Sequence, residues 1–460
     1  MFKHTEAPFF QPRRHYAFTR YEFYKYKLYT KFASWRAIRF IPSVYPYNMT
    51  RHLPLLVFFI YAISWIVPTQ VQAQIDTLVY GAGRHTIEAS GKGELRATIE
   101  AMPFVRDNEY KGDYVKGYTL PGAWLQPSIS YQPLKNLQIE VGAYMLHFWG
   151  ADKYPNFNYS DLAHWQGHNI QNGFHCVPVI RANMQLSNTV NVVVGSIYGK
   201  ANHALAEPLY NDELNLSADP ETGLQIMWDT PHFQLDTWIN WESFIFDNDK
   251  GQESFSFGLS TRIRPSRKQA RSQWYLPIQM LFQHRGGEIN TEASERSIKT
   301  WLNAAMGAGV QVPFAPKLSG TFNMEATATY FSQQAGTALP FSKGYGIYTK
   351  AAARLWRFRA SLGYWYSHHF ISILGNPLFG SISVNEAGIT FPNSQMITGH
   401  AEYAQELGKG FAWGASLDVF HHLATNMHSP SIGTLRVKNQ TSLAVGIYVR
   451  ACPSFLIKKF

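Results

Sequence analysis

Cysteine is almost absent from this chain of 460 residues, with Cys176 and Cys452 the whole complement. A disulfide-stapled scaffold is therefore excluded. The strand pattern described below sets Cys176 beside an outer loop and Cys452 near the inner rim, too far apart to bridge, so both thiols are expected free. Long apolar runs are equally scarce. The stretch from Leu53 to Val67 is the longest, about fifteen residues against the roughly 20 that a spanning helix needs. No G-x-S-x-G, H-E-x-x-H, Walker or dinucleotide fingerprint occurs, so the common hydrolase, metalloprotease and nucleotide-dependent classes have no motif here. No Pro/Gly/Ser-rich linker divides the chain, and charged residues are only 16% of it.

The apolar run belongs to a targeting segment. Met49 to Ala73 has a short basic start (Arg51, His52), the apolar stretch, and Val71-Gln72-Ala73 before Gln74, so cleavage is expected after Ala73. Residues 1–48, rich in bases and aromatics, then read as an over-long start with Met49 the initiator. They hold nine Lys/Arg and two Asp/Glu, hence seven of the ten net positive charges, and Arg51 adds another. The mature chain is left near +2, so the sequence pI of about 9.3 does not imply a nucleic-acid partner. Residues 74–93 are expected to form a short periplasmic segment and 94–460 a single further domain.

What is abundant is aromatic residues, 15% of the chain, arranged in segments of about ten residues that alternate apolar with polar. Sixteen such segments are expected, near 94–104, 123–132, 136–148, 177–186, 190–200, 221–229, 233–243, 252–264, 274–285, 299–312, 318–331, 344–355, 358–371, 395–406, 411–421 and 438–450. Their links are alternately short (Thr230-Pro231-His232, Trp356-Arg357) and long (149–176, 201–220, 372–394). Arg359, Ser361, Gly363, Trp365 and Ser367 share one face of the thirteenth segment; Phe358, Ala360, Leu362, Tyr364, Tyr366 and Phe370 share the other. A soluble sandwich also alternates. The alternate link lengths, the aromatics at segment ends and the segment lengths favour an all-β, antiparallel, up-and-down transmembrane barrel with long extracellular loops and short periplasmic turns.

With its signal segment, its last strand of Leu443, Val445, Ile447 and Val449, and its terminal Phe460, the chain resembles the porin-like outer-membrane barrels of Gram-negative, Bacteroidetes-type bacteria. The resemblance implies insertion into outer-membrane lipid by a barrel-assembly machinery that reads the last strand. Ala451-Cys452-Pro453 is expected to interrupt that strand before Phe460. TonB-dependent receptors, with about 22 strands and a plug, are disfavoured by length.

The register sends Arg96, Glu100, Glu140, Arg181, Asp236, Arg262, Glu325, Lys350, Arg354, Arg359, Glu402 and Asp418 into the lumen. They either set a transverse field that sorts solutes or pair across neighbouring strands. His164 and His168, an H-x3-H pair in the longest outer loop, are weak candidates for holding a metal, with His203 and Glu207 in the next long loop. No cofactor is expected. Two loop texts look specific, 203–220 and 375–381, and could fold inward as a constriction; Tyr154, Tyr159 and Trp165 could instead bind a surface glycan. The expected function is diffusion of small polar solutes. The alternatives are a non-conducting barrel that organises glycans or an assembly partner, and an outer-membrane hydrolase.

Overall fold

The computed structural model describes residues 86–149, 175–243, 253–266, 270–286, 298–315 and 318–460. The targeting segment, the proposed start at Met49, and His164 and His168 lie outside the described residues, as do Tyr154, Tyr159 and Trp165.

The alternating segments are strands: β1 (Glu94–Lys111), β2 (Lys116–Leu134), β3 (Leu137–Phe148), β4 (His175–Gln185), β5 (Val190–Ser196), β6 (Thr222–Asp229), β7 (Phe233–Ser243), β8 (Glu253–Ile263), β9 (Gln273–Gly286), β10 (Lys299–Pro313), β11 (Thr321–Ala335), β12 (Lys343–Leu355), β13 (Phe358–His368), β14 (Asn393–Gly408) and β15 (Phe411–His422). A small hairpin of β16 (Thr425–Ser429) and β17 (Gly433–Val437) stands in the last outer loop, followed by β18 (Gln440–Ala451) and β19 (Ser454–Lys459). Each wall strand pairs antiparallel with its neighbours in sequence, and β1 pairs with β2 on one side and with β18 and β19 on the other. The result is a closed barrel of 16 strands.

Closure depends on β18 and β19 acting as one strand. The expected interruption at Ala451-Cys452-Pro453 does not occur: the register Ala101↔Ala451 carries through to Thr98↔Ser454. Pro453 lacks an N–H, yet its carbonyl accepts from the Ile99 N–H at 3.1 Å, and the Phe460 N–H reaches Gly93 O at 2.9 Å. A proline is thus tolerated at the seam because only its acceptor is called on. Phe460 ends the sixteenth strand.

The outward face is apolar. Ile180, Val194, Ile226, Met306, Met324, Ile347, Leu362, Val445 and Ile447 are exposed along the middle of the wall. Tyr131, Trp228, Trp274, Phe322, Phe358, Phe411 and Phe460 ring the short-turn end, and Trp149, Trp241, Tyr345 and Tyr364 the long-loop end. Water would not tolerate so continuous an apolar band on a monomer. Between two aromatic girdles it is the surface of an outer-membrane barrel facing lipid. Both cysteines are free.

Several boundaries differ from the sequence reading: β2 begins at Lys116 instead of 123, β5 ends at Ser196 instead of 200, and β11 runs from Thr321 to Ala335 instead of 318–331. β1 runs on to Lys111 instead of ending near 104, lengthening the β1–β2 hairpin. β13 stops at His368, and Phe370, read as outward-facing, is fully buried. The chain turns at His369 (φ 52°) and drops Phe370 edge-on against the Trp365 ring, 5.3 Å away.

Deleting Ser454–Phe460 leaves the inner end of β1, Glu94 to Thr98, with an open edge, and each unmet backbone group in the membrane costs several kcal/mol. The expected outcome is loss of the compact, heat-modifiable species on unboiled gels. Phe460→Ala alone, which keeps every seam hydrogen bond, should refold like the wild type.

Candidate functional site

The lumen is filled from the long-loop end by two segments, 197–221 and 369–392. Their sequences explain why they fold inward. Leu205, Leu209, Tyr210, Leu214 and Leu216 would stand in water if the first segment projected outward. Inside, Leu214, Leu216 and Tyr210 join a cluster with Trp124, Tyr144, Phe148 and Val179 of β2, β3 and β4. Phe370, Ile371, Leu378, Phe379 and Phe391 of the second segment pack on Trp301, Phe331, Tyr348 and Trp365 of the opposite wall. The segments also brace one another: the Asn211 N–H donates to Leu374 O at 2.9 Å and the Ser372 hydroxyl to Pro208 O at 2.6 Å.

Burying a loop also buries its backbone, and each N–H and C=O must find a partner. Three wall amides supply them. Gln225 accepts from the Tyr198 N–H (2.9 Å) and donates to the same residue's carbonyl (3.0 Å). Gln279 accepts from the Ala206 N–H (2.8 Å) and donates to Ala204 O (3.0 Å). Asn303 accepts from the Ile373 N–H (2.8 Å) and donates to Ile371 O (2.9 Å). Each primary amide imitates a neighbouring strand for one loop residue or a pair of them, and all three are buried.

Ion pairs complete the docking. Glu213, on a single helical turn (Leu214–Ser217) at its cap position, meets Arg106 at 3.1 Å and accepts from Asn108 at 2.6 Å; Arg106 also pairs with Asp418 at 3.1 Å. Glu207 takes hydrogen bonds from Lys350 and from the Tyr348 hydroxyl, both at 2.9 Å. His203 stacks flat on Trp238, 3.3 Å between ring centroids, with Nδ1 2.7 Å from Asp236 and Nε2 3.0 Å from Glu221. Trp238 can lie there because Gly258 beneath it has no side chain; a Cβ would sit 2.0 Å from the indole. Burial opposes the imidazolium charge, but Glu221 and Asp236 outweigh it and hold the His203 pKa up at about 9.

The lumen residues expected from the register fall into two tiers. At the inner mouth Arg96 pairs with Glu94 (3.0 Å), Glu100 with Arg450, and Glu140 with Arg181 (2.9 Å), whose guanidinium lies over the Tyr198 ring. Arg262 lies over Tyr275, which donates to Glu325 at 2.7 Å. Arg354 stands directly across from Arg359, and Arg359 across from Glu402. At mid-barrel Lys350, Asp418 and Asp236 take the loop contacts given above, while His400 bridges Asp418 (2.6 Å) and Glu402 (3.3 Å). His203 and Glu207, paired in the sequence reading as candidate ligands, go to different partners. Arg106, Glu213, His400 and the three amides were missed. Arg106 and Asn108 were legible had the alternation been followed past Phe104; the amides carry no charge and drew no notice.

Directly beneath the docked segments is a chamber of about 110 Å3 bounded by Arg106, Glu207, Asp212, Lys350, Arg359 and His400.

The sequence profile of a family described as lipid A 3'-O-deacylase-type matches residues 87–460. No curated protein matches. Among solved structures, OccK8 (OprE) of Pseudomonas aeruginosa is similar at 10% identity over 80% of this chain and 100% of its own, with a TM-score of 0.44. OpdK of the same organism, solved with vanillate, has 9% identity over 79% and 100%, TM-score 0.43. OmpT of Vibrio cholerae has 7% identity over 78% and 99%, TM-score 0.41.

Two outcomes are expected. Asn303→Ala strands two buried backbone groups at about 1–3 kcal/mol each, so amide exchange across 369–376 should quicken while the wall strands stay protected. For His203, a folded pKa raised from 6.5 to about 9 gives a contribution complete below pH 6.5 and lost as pH rises through about 9. Proteolysis within 199–221 should therefore increase between pH 7 and 10, and His203→Gln should flatten that dependence.

Proposed function

The chain belongs to the lipid A 3'-O-deacylase-type family; from the geometry of its lumen we propose that it is a loop-gated, porin-like channel for small polar solutes across the outer membrane. One observation carries this reading. The 197–221 segment sets Glu207, Asp212 and Glu213 against Arg106, Lys350 and Arg359 of the wall at mid-barrel. Acids on an inward loop opposite bases on the wall make a constriction with a transverse field, the device that sorts polar solutes in a narrow aqueous path. Below it the inner mouth is lined by charges, and above it the two segments close the path. Their placement against the wall is set by ion pairs that a solute carrying charge could replace.

The family description suggests deacylation of lipid A instead. Hydrolysis needs a base with a free lone pair beside a nucleophile. Of the lumen histidines, His400 and His203 each have both ring nitrogens engaged by carboxylates, whereas on the outward face of the wall His284 Nδ1 lies 2.9 Å from the Thr300 hydroxyl. The channel reading therefore rests on the mid-barrel constriction and not on the histidines. On this reading the chain is exported with cleavage between Ala73 and Gln74, and its partners are outer-membrane lipid, the assembly machinery and the solute itself.

The test is conductance of the mature barrel in planar bilayers. Removing one partner of a buried pair costs about 3–5 kcal/mol, enough to undock the first segment. Wild type should show rare, brief openings, and Glu213→Gln long-lived steps. A variant lacking 204–217 that folds and never conducts would sink the channel reading and leave a closed barrel or a hydrolase.

A further inference from the structure

The chamber beneath the docked segments is bordered by more hydrogen-bond donors than its own side chains use. Asn211 of the first segment and Asn376 of the second both line it, and they are only 7% and 6% exposed. Each carboxamide is held by its oxygen: Asn211 Oδ1 accepts from the Glu213 N–H at 3.2 Å, and Asn376 Oδ1 from the Leu378 N–H at 3.0 Å. That fixes the two amides with Nδ2 turned away from the backbone they cap. Among the described residues neither Nδ2 meets an acceptor.

The wall adds to this set. The Ser361 hydroxyl of β13 borders the same space and has no partner among the described residues. Lys350 Nζ carries three N–H groups and gives one to Glu207 at 2.9 Å. Arg359 stands at the inner edge, two residues beyond Arg357 of the short turn. The acids are placed differently. Glu207 is engaged by Lys350 and Tyr348, and Asp418 by Arg106 and His400 at 3.1 and 2.6 Å. Asp212, the remaining acid, is exposed to water at the rim. Buried donors without acceptors are costly, so the space is shaped for a group that accepts.

We propose that the chamber binds a small carboxylate that enters from the inner mouth. Its oxygens accept from Asn211, Asn376 and Ser361, and Lys350 and Arg359 supply the counter-charge. Neutral amide and hydroxyl donors suit a single negative charge spread over two oxygens. A phosphate dianion would need more cationic charge than Lys350, paired with Glu207, and Arg359, across from Glu402, have to give. The size agrees: about 110 Å3 is the liquid volume of roughly four waters at roughly 30 Å3 each, enough for an acetate- or lactate-sized ion. Entry is from below because the segments 197–221 and 369–392 roof the space. The proposal names the solute class of the constriction and rests on the channel reading for its purpose, while the binding itself needs no conduction.

The test is equilibrium dialysis of the mature barrel in lipid nanodiscs against radiolabelled lactate. Saturable retention is expected, displaced by acetate and left intact by inorganic phosphate and by lactamide, the neutral isostere of lactate. Asn211→Asp and Asn376→Asp each keep the oxygen that caps the backbone and replace the donor, so each should weaken retention about tenfold. Gln234→Glu, which adds the same charge at the inner mouth on β7, should change it by less than about twofold. Absence of saturable retention, or displacement by lactamide or phosphate, would overturn the site. So would unchanged retention in either Asp variant that keeps its heat-modifiable fold, or an equal loss in Gln234→Glu. A barrel that passes stepwise current yet retains no lactate loses the site and keeps the channel; one that retains lactate and never conducts keeps the site and loses the channel.

Discussion

Every part of this molecule answers to one constraint: a backbone N–H or C=O taken out of water must meet a partner. In the wall the constraint is satisfied strand by strand, and it closes the barrel by drawing β18 and β19 onto β1 across a proline that contributes only its carbonyl. In the lumen it governs the two inward segments, which could not lie buried without Gln225, Gln279 and Asn303 standing in for neighbouring strands.

Hydrophobic burial and charge act within that frame. The apolar side chains of 205–216 and 370–391 supply the drive to fold inward, because lumen walls rich in Trp, Tyr and Phe offer them dry partners. The ion pairs of Arg106 with Glu213 and Lys350 with Glu207 add less to stability than to placement, since desolvation offsets much of their attraction. Their effect is to hold acids of a loop opposite bases of the wall at one level of the barrel. A plug assembled from such contacts is specific in position.

The strand count, the face of nearly every strand residue and the two aromatic girdles were legible in the sequence. Lipid outside and polar lumen inside impose a period of two that each segment must show by itself. Errors fell where that local rule stops. Phe370 continues the apolar series of β13, yet it belongs to the lumen because the chain turns at His369. Arg106 and Asn108 were lost because the first strand was ended too early. The Ala451-Cys452-Pro453 break, a reasonable stop by composition, is bridged by pairing with β1, a partner some 350 positions away in the chain.

By itself the sequence determined the architecture, since that depends on patterns within about ten residues. Only the tertiary structure decided where the inward segments 197–221 and 369–392 dock and which charges meet. Such contacts join residues as distant as Arg106 and Asp418, 312 positions apart, and no local pattern records a partner that closure of the barrel alone brings near.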